Sequence, residues 1–326
     1  MGELSLNNVI VLVTESCFFK CKMCHFWKQK HDIPIFDLNK YKSMFAGLKK
    51  FTHDKTTVVF TGGETLLNLQ IYDLVKLASS QNIWTNLNTN AWLLDDKKID
   101  RLIKSGVNQI TISLDGSIPE IHDFIRGIPG SYKKIFSVIK QIRKKSKDIV
   151  LVANCVINNY NLNDVLNIVN KVNKAEFESV YFQSVVPPFA SNDIHQNSVE
   201  GVPWYKSAEY KDLWPKDKKL LRKVYSNLIA MRDQGFIVGT TSNLLKRQYL
   251  YFLNPDIRPK DVTCTVNKDL LVDTKGVMFH CSEKNEVIGT IDEPIDKVLS
   301  GKQAVASRSR IKTCEINCHQ LLNCQL

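Results

Sequence analysis

The feature that most constrains this fold is an alternation of short β-branched segments with longer amphipathic segments, which runs over residues 9–184. Apolar residues recur at helical spacing between the β-branched segments, as Ile135, Val138, Ile139 and Ile142 do. Parallel strands need long connections and helices supply them, so the alternation predicts an α/β fold with a parallel sheet and right-handed crossovers. Periodicity alone leaves open whether the sheet is open or rolled into a partial barrel. The predicted strands are 9–14, 56–61, 84–88, 109–113, 150–157 and 179–183.

Beyond residue 187 the pattern changes. A polar stretch at 190–200 precedes an aromatic group of Trp204, Tyr205, Tyr210 and Trp214, which indicates a surface loop or a lid. The C-terminal part of the chain carries five of the nine cysteines. Further predicted elements are a helix at 218–234, a short strand at 236–239 and a helix at 243–252.

Composition excludes several classes of protein. With 44% hydrophobic and 24% charged residues, the chain is typical of globular proteins and not of disordered ones. The N-terminus lacks the pattern of an export signal and the longest apolar runs are too short to span a bilayer, so we expect a cytoplasmic protein with no membrane partner. In a reducing compartment, nine cysteines indicate metal binding or catalysis. The net charge of +11 would favour an anionic partner, but the lysines are scattered over helix-like segments, where a solvated helix face is the favoured interpretation. We therefore expect no nucleic-acid partner.

Cys17, Cys21 and Cys24 form a CxxxCxxC triple directly after the first predicted strand. A chance triple with this spacing has an expectation of roughly 0.007 in a chain with this cysteine content. Three thiolates on a short loop can bind three irons of a cubane and leave the fourth iron open to another ligand. The alternative is a zinc knuckle or a purely electron-transferring cluster. A zinc site would need a fourth ligand nearby, and His25 is the available candidate.

A second motif, Phe60-Thr61-Gly62-Gly63-Glu64, ends the second predicted strand. Two glycines allow a backbone to approach a ligand closely, and a neighbouring carboxylate can hold an ammonium group. By itself the motif is more often a turn with a solvated acid. Its interest comes from its position at the carboxyl edge of a parallel sheet, where such folds bind ligands.

Together, the two motifs resemble those of the radical S-adenosylmethionine (AdoMet) superfamily. Met23 stands at a position that is usually aromatic in that family, and Thr65 stands where proline is common. The resemblance implies a partial (β/α)6 barrel of the TIM type. It also implies that the three cysteines of the loop bind a 4Fe-4S cluster whose open iron chelates AdoMet. Gly62, Gly63 and Glu64 would then lie against the cofactor, with Glu64 on its amino group.

The resemblance extends to Leu87-Asn88-Thr89-Asn90, to Ser113-Leu114-Asp115-Gly116 and to the segment 121–127. It implies that Ser113 and Arg126 bind the cofactor carboxylate, which a guanidinium matches bidentately. It further implies that Asn88 and Asp115 contact the ribose and that the backbone of Phe26 meets the adenine. For Arg126 the alternative is a surface salt bridge.

A third group of cysteines lies near the C-terminus, and its first half resembles the CxnGxxxxC element of SPASM and twitch extensions, with Gly276 as the hairpin glycine. Five cysteines imply one auxiliary 4Fe-4S cluster with four of them as ligands, Cys264 and Cys281 being the surest. A structural zinc site is the alternative. His280 and His319 flank two of these cysteines and need do no more than hydrogen-bond to nearby sulfurs. The group comprises Cys264, Cys281, Cys314, Cys318 and Cys324.

Cys155 stands alone on the fifth predicted strand. Buried cysteines are common in protein cores, which is the favoured interpretation. The alternative is a catalytic residue that points into the barrel and returns a hydrogen atom to a substrate radical.

The resemblance divides the chain into three regions. We expect a radical SAM partial barrel at 1–186, a bridging or lid region at 187–260, and a small α+β SPASM- or twitch-like iron-sulfur domain at 261–326. Reductive cleavage of AdoMet would yield a 5′-deoxyadenosyl radical, which abstracts hydrogen from substrate. A reductant such as flavodoxin or ferredoxin is the implied protein partner.

The predicted substrate is a small molecule of carbohydrate, aminocyclitol or nucleotide type, which would be oxidised or epimerised by an oxidoreductase or isomerase. One alternative is a peptide maturase that forms a cross-link or an epimerised residue. Only eight residues precede the first predicted strand, which argues against a fused leader-binding domain. The alternative from another class is a non-catalytic iron-sulfur electron-transfer or metal-binding protein.

Overall fold

The computed structural model describes residues 4–29, 31–187, 198–199, 201–255 and 264–315. These residues form one nine-stranded sheet, a separate two-stranded hairpin and a set of helices. The strands are β1 (Asn8–Thr14), β2 (Thr57–Gly62), β3 (Trp84–Thr89), β4 (Gln109–Ser113), β5 (Val150–Ile157), β6 (Ser179–Ser184), β7 (Ser198–Val199), β8 (Val202–Pro203), β9 (Asp269–Val272), β10 (Val277–Phe279) and β11 (Val287–Thr290). The α-helices are α1 (Leu38–Leu48), α2 (Ile71–Ser79), α3 (Asp96–Ser105), α4 (Pro119–Arg126), α5 (Ser131–Lys145), α6 (Val165–Asn173), α7 (Lys218–Asp233), α8 (Ser242–Leu253), α9 (Ile295–Ser300) and α10 (Lys302–Lys312).

All six strands predicted in the first part of the chain are present, with ends that differ by no more than one residue. They lie side by side in chain order, and every neighbouring pair is parallel. Right-handed crossovers between strands in this order put all the helices on one face of the sheet. A doubly wound sheet, in which the order reverses, is therefore excluded, and the sheet curls around its open face. Because β1 has β2 and β9 as its neighbours, the barrel is partial.

The two faces of this sheet differ in chemistry. Val58 and Phe60 are fully buried on the face that packs against helices, and the ring of Phe45 from α1 lies 6.4 Å from that of Phe60, between centroids. Residues that alternate with the buried ones, such as Asn86 and Asn88, are only half-buried. The concave face of the partial barrel therefore carries polar side chains, together with some apolar ones.

Aspartates cap several helices at their N-termini. Asp37 accepts a hydrogen bond from the backbone of Asn39 at the start of α1, and Asp95 accepts one from Lys98 at the start of α3. A carboxylate at this end satisfies an unpaired N–H group and complements the helix dipole. Each cap fixes the start of its helix and therefore the end of the loop between the preceding strand and that helix. None of the helices in the described ranges has the length and apolarity that a bilayer span requires.

The C-terminal strands extend the main sheet. β9 pairs in parallel with β1, and β10 and β11 follow it as antiparallel neighbours. The backbone and side-chain N–H groups of Asn8 donate to Oδ1 of Asp269 at 3.1 and 3.0 Å. Gly276 lies at the turn between β9 and β10 with a φ of +78°, which glycine adopts without strain. The sheet therefore continues into the region that the sequence assigns to a separate domain.

The aromatic group after residue 201 is packed, not exposed as a surface loop would be. Trp204 and Tyr210 are buried, and the Trp214 ring lies 5.8 Å from that of Trp204 and 5.1 Å from that of Phe252 in α8. These side chains join the helices to the barrel through a shared apolar core.

The prediction of a short strand at 236–239 is wrong. The structure has an isolated parallel bridge between Val180 and Val238. Gly235 ends the turn after α7 with a φ of +87°, and Thr241 already caps α8. Beyond Gly239 the hydroxyl of Thr240, and not its backbone, bonds to the N–H and C=O groups of Phe182, so the pairing ends after a single bridge.

Candidate functional site

The three cysteines of the N-terminal motif lie in the loop from β1 to α1, at the carboxyl edge of the sheet. Cys21 is buried, and Cys17 and Cys24 are half-buried. The N–H of Cys24 donates to the carbonyl of Cys21 at 3.3 Å, and the indole N–H of Trp27 donates to the same carbonyl at 3.2 Å. These hydrogen bonds hold Cys21 and Cys24 in one tight turn, and Cys17 precedes that turn on the same loop.

Backbone N–H groups are directed at two of the sulfurs. The N–H of Phe19 hydrogen-bonds to the sulfur of Cys17, and those of His25 and Phe26 hydrogen-bond to the sulfur of Cys24. Donors of this kind stabilise the thiolate over the thiol. Second-shell hydrogen bonds to sulfur are also a means by which proteins tune iron-sulfur clusters.

The thiols themselves are protonated at neutral pH. Burial raises the pKa of Cys17 to about 12 and that of Cys21 to about 11. The hydrogen bond from Phe19 lowers the first of these pKa values, and the charge of Arg126 lowers the second. A metal that binds here must displace the thiol protons, as is general for cysteine ligands.

This arrangement fits a 4Fe-4S cluster. In the part of the chain that the structure describes, no three His, Cys, Asp or Glu side chains converge closely enough to hold a single metal ion. A cubane binds each of its thiolates on a different iron, so the three cysteines need not meet at one point. Three soft sulfur donors on one loop, two of them with N–H groups directed at them, are the kind of donor set that such a cluster requires.

The turn Gly62-Gly63-Glu64 at the end of β2 packs directly against the cysteine loop. The N–H of Gly63 donates to the carbonyl of Thr14 at 2.7 Å, and the N–H of Glu64 donates to that of Ser16 at 2.9 Å. A Cβ on Gly62 would lie 2.1 Å from the Thr14 carbonyl oxygen, and one on Gly63 would lie 2.1 Å from that of Ser16. Only glycines allow the two backbones to come this close.

We expect Gly62→Ala to lower the free energy of unfolding by about 3 kcal/mol, because it adds a backbone clash to strain at a φ of +134°. Gly130→Ala is the matched control, since Gly130 also has a positive φ but no atom within 4 Å of its Cβ position. Strain alone should cost that variant about 1 kcal/mol. Urea denaturation measures both values. Equal losses would show that close approach to the cysteine loop is not what requires glycine at position 62.

Glu64 is fully buried and its carboxylate is well coordinated. Oε1 accepts hydrogen bonds from the Thr89 hydroxyl at 2.7 Å and the Leu66 N–H at 3.2 Å, and Oε2 accepts one from the Asn90 N–H at 2.8 Å. Burial raises the pKa of Glu64, and these three donors oppose that shift. Each carboxylate oxygen can accept two hydrogen bonds, so Oε2 retains room for one further donor. Thr89 and Asn90 were part of a sequence motif, but their contact with Glu64 was not foreseen.

Arg126 forms a buried ion pair, not the surface salt bridge considered as an alternative. Its Nε lies 2.5 Å from Oδ2 of the fully buried Asp115, whose Oδ1 accepts the N–H of Val156 at 2.8 Å. Burial lowers the pKa of Arg126, but Asp115 and the sulfur of Cys21 outweigh it and raise that pKa. Nη1 of Arg126 lies 3.9 Å from Sγ of Cys21. The arginine therefore links the cysteine loop to the end of β4.

The concave face of the sheet carries a continuous set of amide and hydroxyl side chains, here called the polar inner face. Nδ2 of Asn88 lies 3.3 Å from the Thr61 hydroxyl, and Nδ2 of Asn154 lies 3.3 Å from Oε1 of Gln183. Ser113 is in register with Asn154 at the carboxyl ends of β4 and β5. The polar inner face consists of Thr61, Asn86, Asn88, Gln109, Thr111, Ser113, Asn154 and Gln183.

The predicted cofactor residues divide between two environments. Asn88 and Ser113 lie on the polar inner face at strand ends, and Phe26 follows the third cysteine of the loop. Asp115 is different, because its carboxylate is enclosed by Val156 and Arg126. A contact between Asp115 and a ribose stays a prediction.

Cys155 lies in the core. It is fully buried on the face of β5 opposite Asn154, and its sulfur lies 3.7 Å from Nδ2 of Asn161. Burial raises the pKa of its thiol. This position agrees with the core interpretation that the sequence favours.

The described cysteines of the C-terminal group lie together. Cys264 and Cys281 are buried in one cluster with Ile311. Burial raises the pKa of Cys281, and Cys314 lies close enough to raise it further. Cys318, His319 and Cys324 lie outside the described residues.

His280 lies beside this group. Its Nδ1 is 2.7 Å from the carbonyl of Asp269, and its Nε2 is 3.2 Å from Nη1 of Arg308. Both ring nitrogens thus have partners other than sulfur, so the hydrogen bond from His280 to a nearby sulfur that the sequence suggests is not what the structure shows.

Sequence analysis missed the contact between the cysteine loop and the aromatic group that follows residue 201. The hydroxyl of Tyr210 lies 2.7 Å from Nε2 of His25, and Lys28 forms an ion pair with Glu209. No local pattern could reveal these contacts, because about 180 residues separate the partners. His25, considered above as a zinc ligand, instead contacts Tyr210.

A comparison with protein families adds to this geometry. The model of the Radical SAM superfamily matches residues 11–172, which include the cysteine loop, Glu64 and Arg126. The chain belongs to the radical SAM superfamily. Membership implies a 4Fe-4S cluster and AdoMet as cofactors, and it confirms the resemblance that the motifs before residue 172 carry.

Relatives of this radical SAM protein include enzymes with different products. The AdoMet-dependent heme synthase of Oleidesulfovibrio alaskensis is 26% identical over 133 residues, which is 40% of this chain and 34% of that protein. The sporulation killing factor maturation protein SkfB of Bacillus subtilis is 27% identical over 161 residues, or 49% of this chain and 38% of that protein. The chain thus matches less than half the length of these relatives.

Solved radical SAM structures have the same fold over nearly the whole chain. Native anSMEcpe with bound AdoMet matches with a TM-score of 0.65 and 18% identity, covering 97% of this chain and 88% of that one. SuiB of Streptococcus suis bound to the precursor peptide SuiA matches with a TM-score of 0.67 and 15% identity, covering 99% and 71%. At these identities the likeness concerns the fold alone, and it confirms the predicted α/β partial barrel.

Proposed function

We propose that this radical SAM enzyme cleaves AdoMet reductively and removes a hydrogen atom from a C–H bond of a peptide. The observation that carries the proposal is the direct packing of the Glu64 turn on the cysteine loop, through N–H···O bonds of 2.7 and 2.9 Å. This packing brings a thiolate donor set and an anionic side chain to one edge of the sheet. Below that edge lies a polar concave face suited to a polar substrate.

Cys17, Cys21 and Cys24 would hold the cluster. When bound, the cluster and AdoMet supply one-electron cleavage of a C–S bond, which produces a radical able to abstract hydrogen. The chain would supply positioning. Gly62 keeps the turn against the loop, and the open acceptor position on Glu64 would receive the ammonium group of AdoMet.

Other residues would orient the remainder of the cofactor. The guanidinium of Arg126 has donors beyond those that meet Asp115 and Cys21, so it can also bind a carboxylate together with Ser113. Asn88 is proposed to bind the ribose, with Asp115 acting on it directly or through Arg126. The adenine would lie against the backbone of Phe26.

For the C-terminal region we propose one auxiliary 4Fe-4S cluster. Cys264, Cys281 and Cys314 would supply three ligands, and Cys318 or Cys324 would supply the fourth. A cluster at this place could accept an electron from a product radical or bind substrate directly. The proposed domain organisation is then a radical SAM barrel at 1–186, a bridging region at 187–260 and an auxiliary region at 261–326. The cytoplasmic location stays a prediction.

A peptide substrate is supported by the relatives and by the lining of the barrel. SkfB is a maturation protein, and SuiB has been solved with a precursor peptide. Asn86, Asn154 and Gln183 offer paired amide donors and acceptors that complement peptide N–H and C=O groups. This proposal departs from the sequence analysis, which favoured a small molecule.

A small polar substrate is the second candidate, because hydroxyl and amide side chains of the polar inner face suit a sugar-like ligand equally well. BtrN, solved with AdoMet and 2-DOIA, matches this fold with a TM-score of 0.52, 14% identity and coverage of 100% and 95%. Oxidation or epimerisation would then be the reaction type.

The first test is release of 5′-deoxyadenosine from AdoMet by the anaerobically reconstituted protein with dithionite. We expect release by the wild type and a loss of at least about tenfold in Glu64→Ala, because the ammonium group then lacks its anionic partner. Glu64→Gln keeps the shape of the side chain and loses its charge, so its rate should lie between those of wild type and Glu64→Ala. A wild type with a full iron content and no release would favour the electron-transfer alternative.

The second test identifies the substrate class by hydrogen transfer. The enzyme is incubated with the peptide fraction of an extract from cells grown in deuterated medium, and the mass of 5′-deoxyadenosine is measured. A peptide substrate predicts deuterated 5′-deoxyadenosine that disappears when the fraction is first digested with protease. Deuterium that instead persists after digestion, or comes only from the small-molecule fraction, would contradict the peptide proposal and support the second candidate.

A further inference from the structure

The outer side of the cysteine loop carries an exposed group that the proposed chemistry does not use. Lys22 lies between Cys21 and Cys24 in the chain, and its Nζ is 4.0 Å from the ring centroid of Phe124 and 5.8 Å from that of Tyr160. The two rings meet edge to face, with centroids 5.1 Å apart. Together with Lys20, these residues are called the basic aromatic patch.

The basic aromatic patch is fixed to the loop that holds the cysteines. The N–H of Lys22 donates to the carbonyl of Ile125 at 3.0 Å. A Cβ on Gly127 would lie 2.6 Å from the Lys20 carbonyl oxygen, which shows how closely the loop packs on the end of α4. A protein bound to this surface would therefore lie directly outside the cluster ligands.

The composition of the basic aromatic patch is that of a binding surface for an acidic partner. Phe124 is 51% exposed, although most large apolar side chains of the described residues are buried. Within the described ranges, neither Lys20 nor Lys22 forms an ion pair with a carboxylate. Exposed aromatic rings beside unpaired cations are typical of interfaces, where the ring supplies buried area and the charges attract the partner.

We propose that the basic aromatic patch docks an acidic electron carrier of the flavodoxin type. The inference rests on the proposed function, since every reductive cleavage of AdoMet consumes one electron. A reduced flavin, as its anionic hydroquinone, would pass one electron to the cluster and become the neutral semiquinone without losing a proton. The edge of a flavin ring system can pack on Phe124 while acidic side chains around it face Lys20 and Lys22, and this favours a flavin carrier over an iron-sulfur one.

The test uses a Lys22→Gln, Phe124→Ala double variant and a matched control at the opposite edge of the sheet. Lys104→Gln and Trp84→Ala form the control, since Lys104 is exposed in the last turn of α3 and Trp84 is 40% exposed at the start of β3. One readout is the dissociation constant for oxidised flavodoxin, which requires no turnover. The other is release of 5′-deoxyadenosine driven in parallel by reduced flavodoxin and by dithionite.

We expect the double variant to raise the dissociation constant, and to lower the flavodoxin-driven rate, by about tenfold. Its dithionite-driven rate should stay within about twofold of wild type, because a small reductant needs no docking surface. The control should match wild type in every readout. Added salt should weaken the binding of wild type more than that of the double variant.

An unchanged dissociation constant would overturn the inference, as would an equal fall of both rates, which would mean that the basic aromatic patch only supports the loop. A variant that loses ferredoxin binding but keeps flavodoxin binding would overturn the choice of carrier. If wild type fails to cleave AdoMet even with dithionite, the proposed function fails. The binding measurement would then still decide the docking proposal.

Discussion

Replacing Cys17, Cys21 and Cys24 together by alanine is expected to abolish AdoMet cleavage and to remove about four irons per chain. These side chains provide the three sulfurs of one loop, and the N–H groups of Phe19, His25 and Phe26 are directed at two of them. No other described cysteine lies on this loop. Iron counting and Mössbauer spectroscopy after anaerobic reconstitution measure the change.

The wild type is expected to bind about eight irons and the triple variant about four, if the C-terminal cysteines hold an auxiliary cluster. Cys155→Ala is the matched control, because Cys155 is a buried core cysteine that should leave the iron content unchanged. About four irons in wild type and none in the triple variant would end the redox role proposed for Cys264, Cys281 and Cys314. Undiminished iron-sulfur signal in the triple variant would contradict the assignment of the N-terminal loop.

The strands of the barrel could be predicted because each is a local signal. The six segments of β-branched residues from Val9 to Gln183 match the observed strands closely. Whether they form an open or a curled sheet could not be read from periodicity, because curvature depends on the order of the strands. The pairing of β1 with β9 was equally hidden, since Asn8 and Asp269 are 261 residues apart and neither carries a local mark of its partner.

The candidate site likewise combines features that the sequence could predict with features that it could not. The cysteine triple and the Gly62-Gly63-Glu64 turn are short motifs, so their spacing alone identified them. Their mutual contact followed from the rule that carboxyl ends of parallel strands share an edge. The buried pair of Asp115 and Arg126, and the contact of Arg126 with Cys21 over 105 residues, required the folded chain.

That buried pair gives the second prediction with a large effect. Asp115→Ala should lower the free energy of unfolding by about 3 to 5 kcal/mol, because it leaves the guanidinium of Arg126 buried without its partner. Asp115 is fully buried and the Arg126 side chain is 12% exposed, so solvent can compensate little of the charge. Asp115→Asn keeps the shape and one acceptor, and it should cost less. Urea denaturation of the purified chain measures each value.

A double variant separates the charge from the other contacts of Asp115. Adding Arg126→Met to Asp115→Ala removes the stranded cation, so the double variant should be more stable than Asp115→Ala alone by at least about 1 kcal/mol. If it is no more stable, the cost comes from the lost hydrogen bond to Val156 and not from the charge. The double variant should nevertheless bind AdoMet more weakly than wild type, because Arg126 is also the proposed partner of the cofactor carboxylate. Recovery of stability without recovery of binding would assign both functions, a structural one and a binding one, to the same guanidinium.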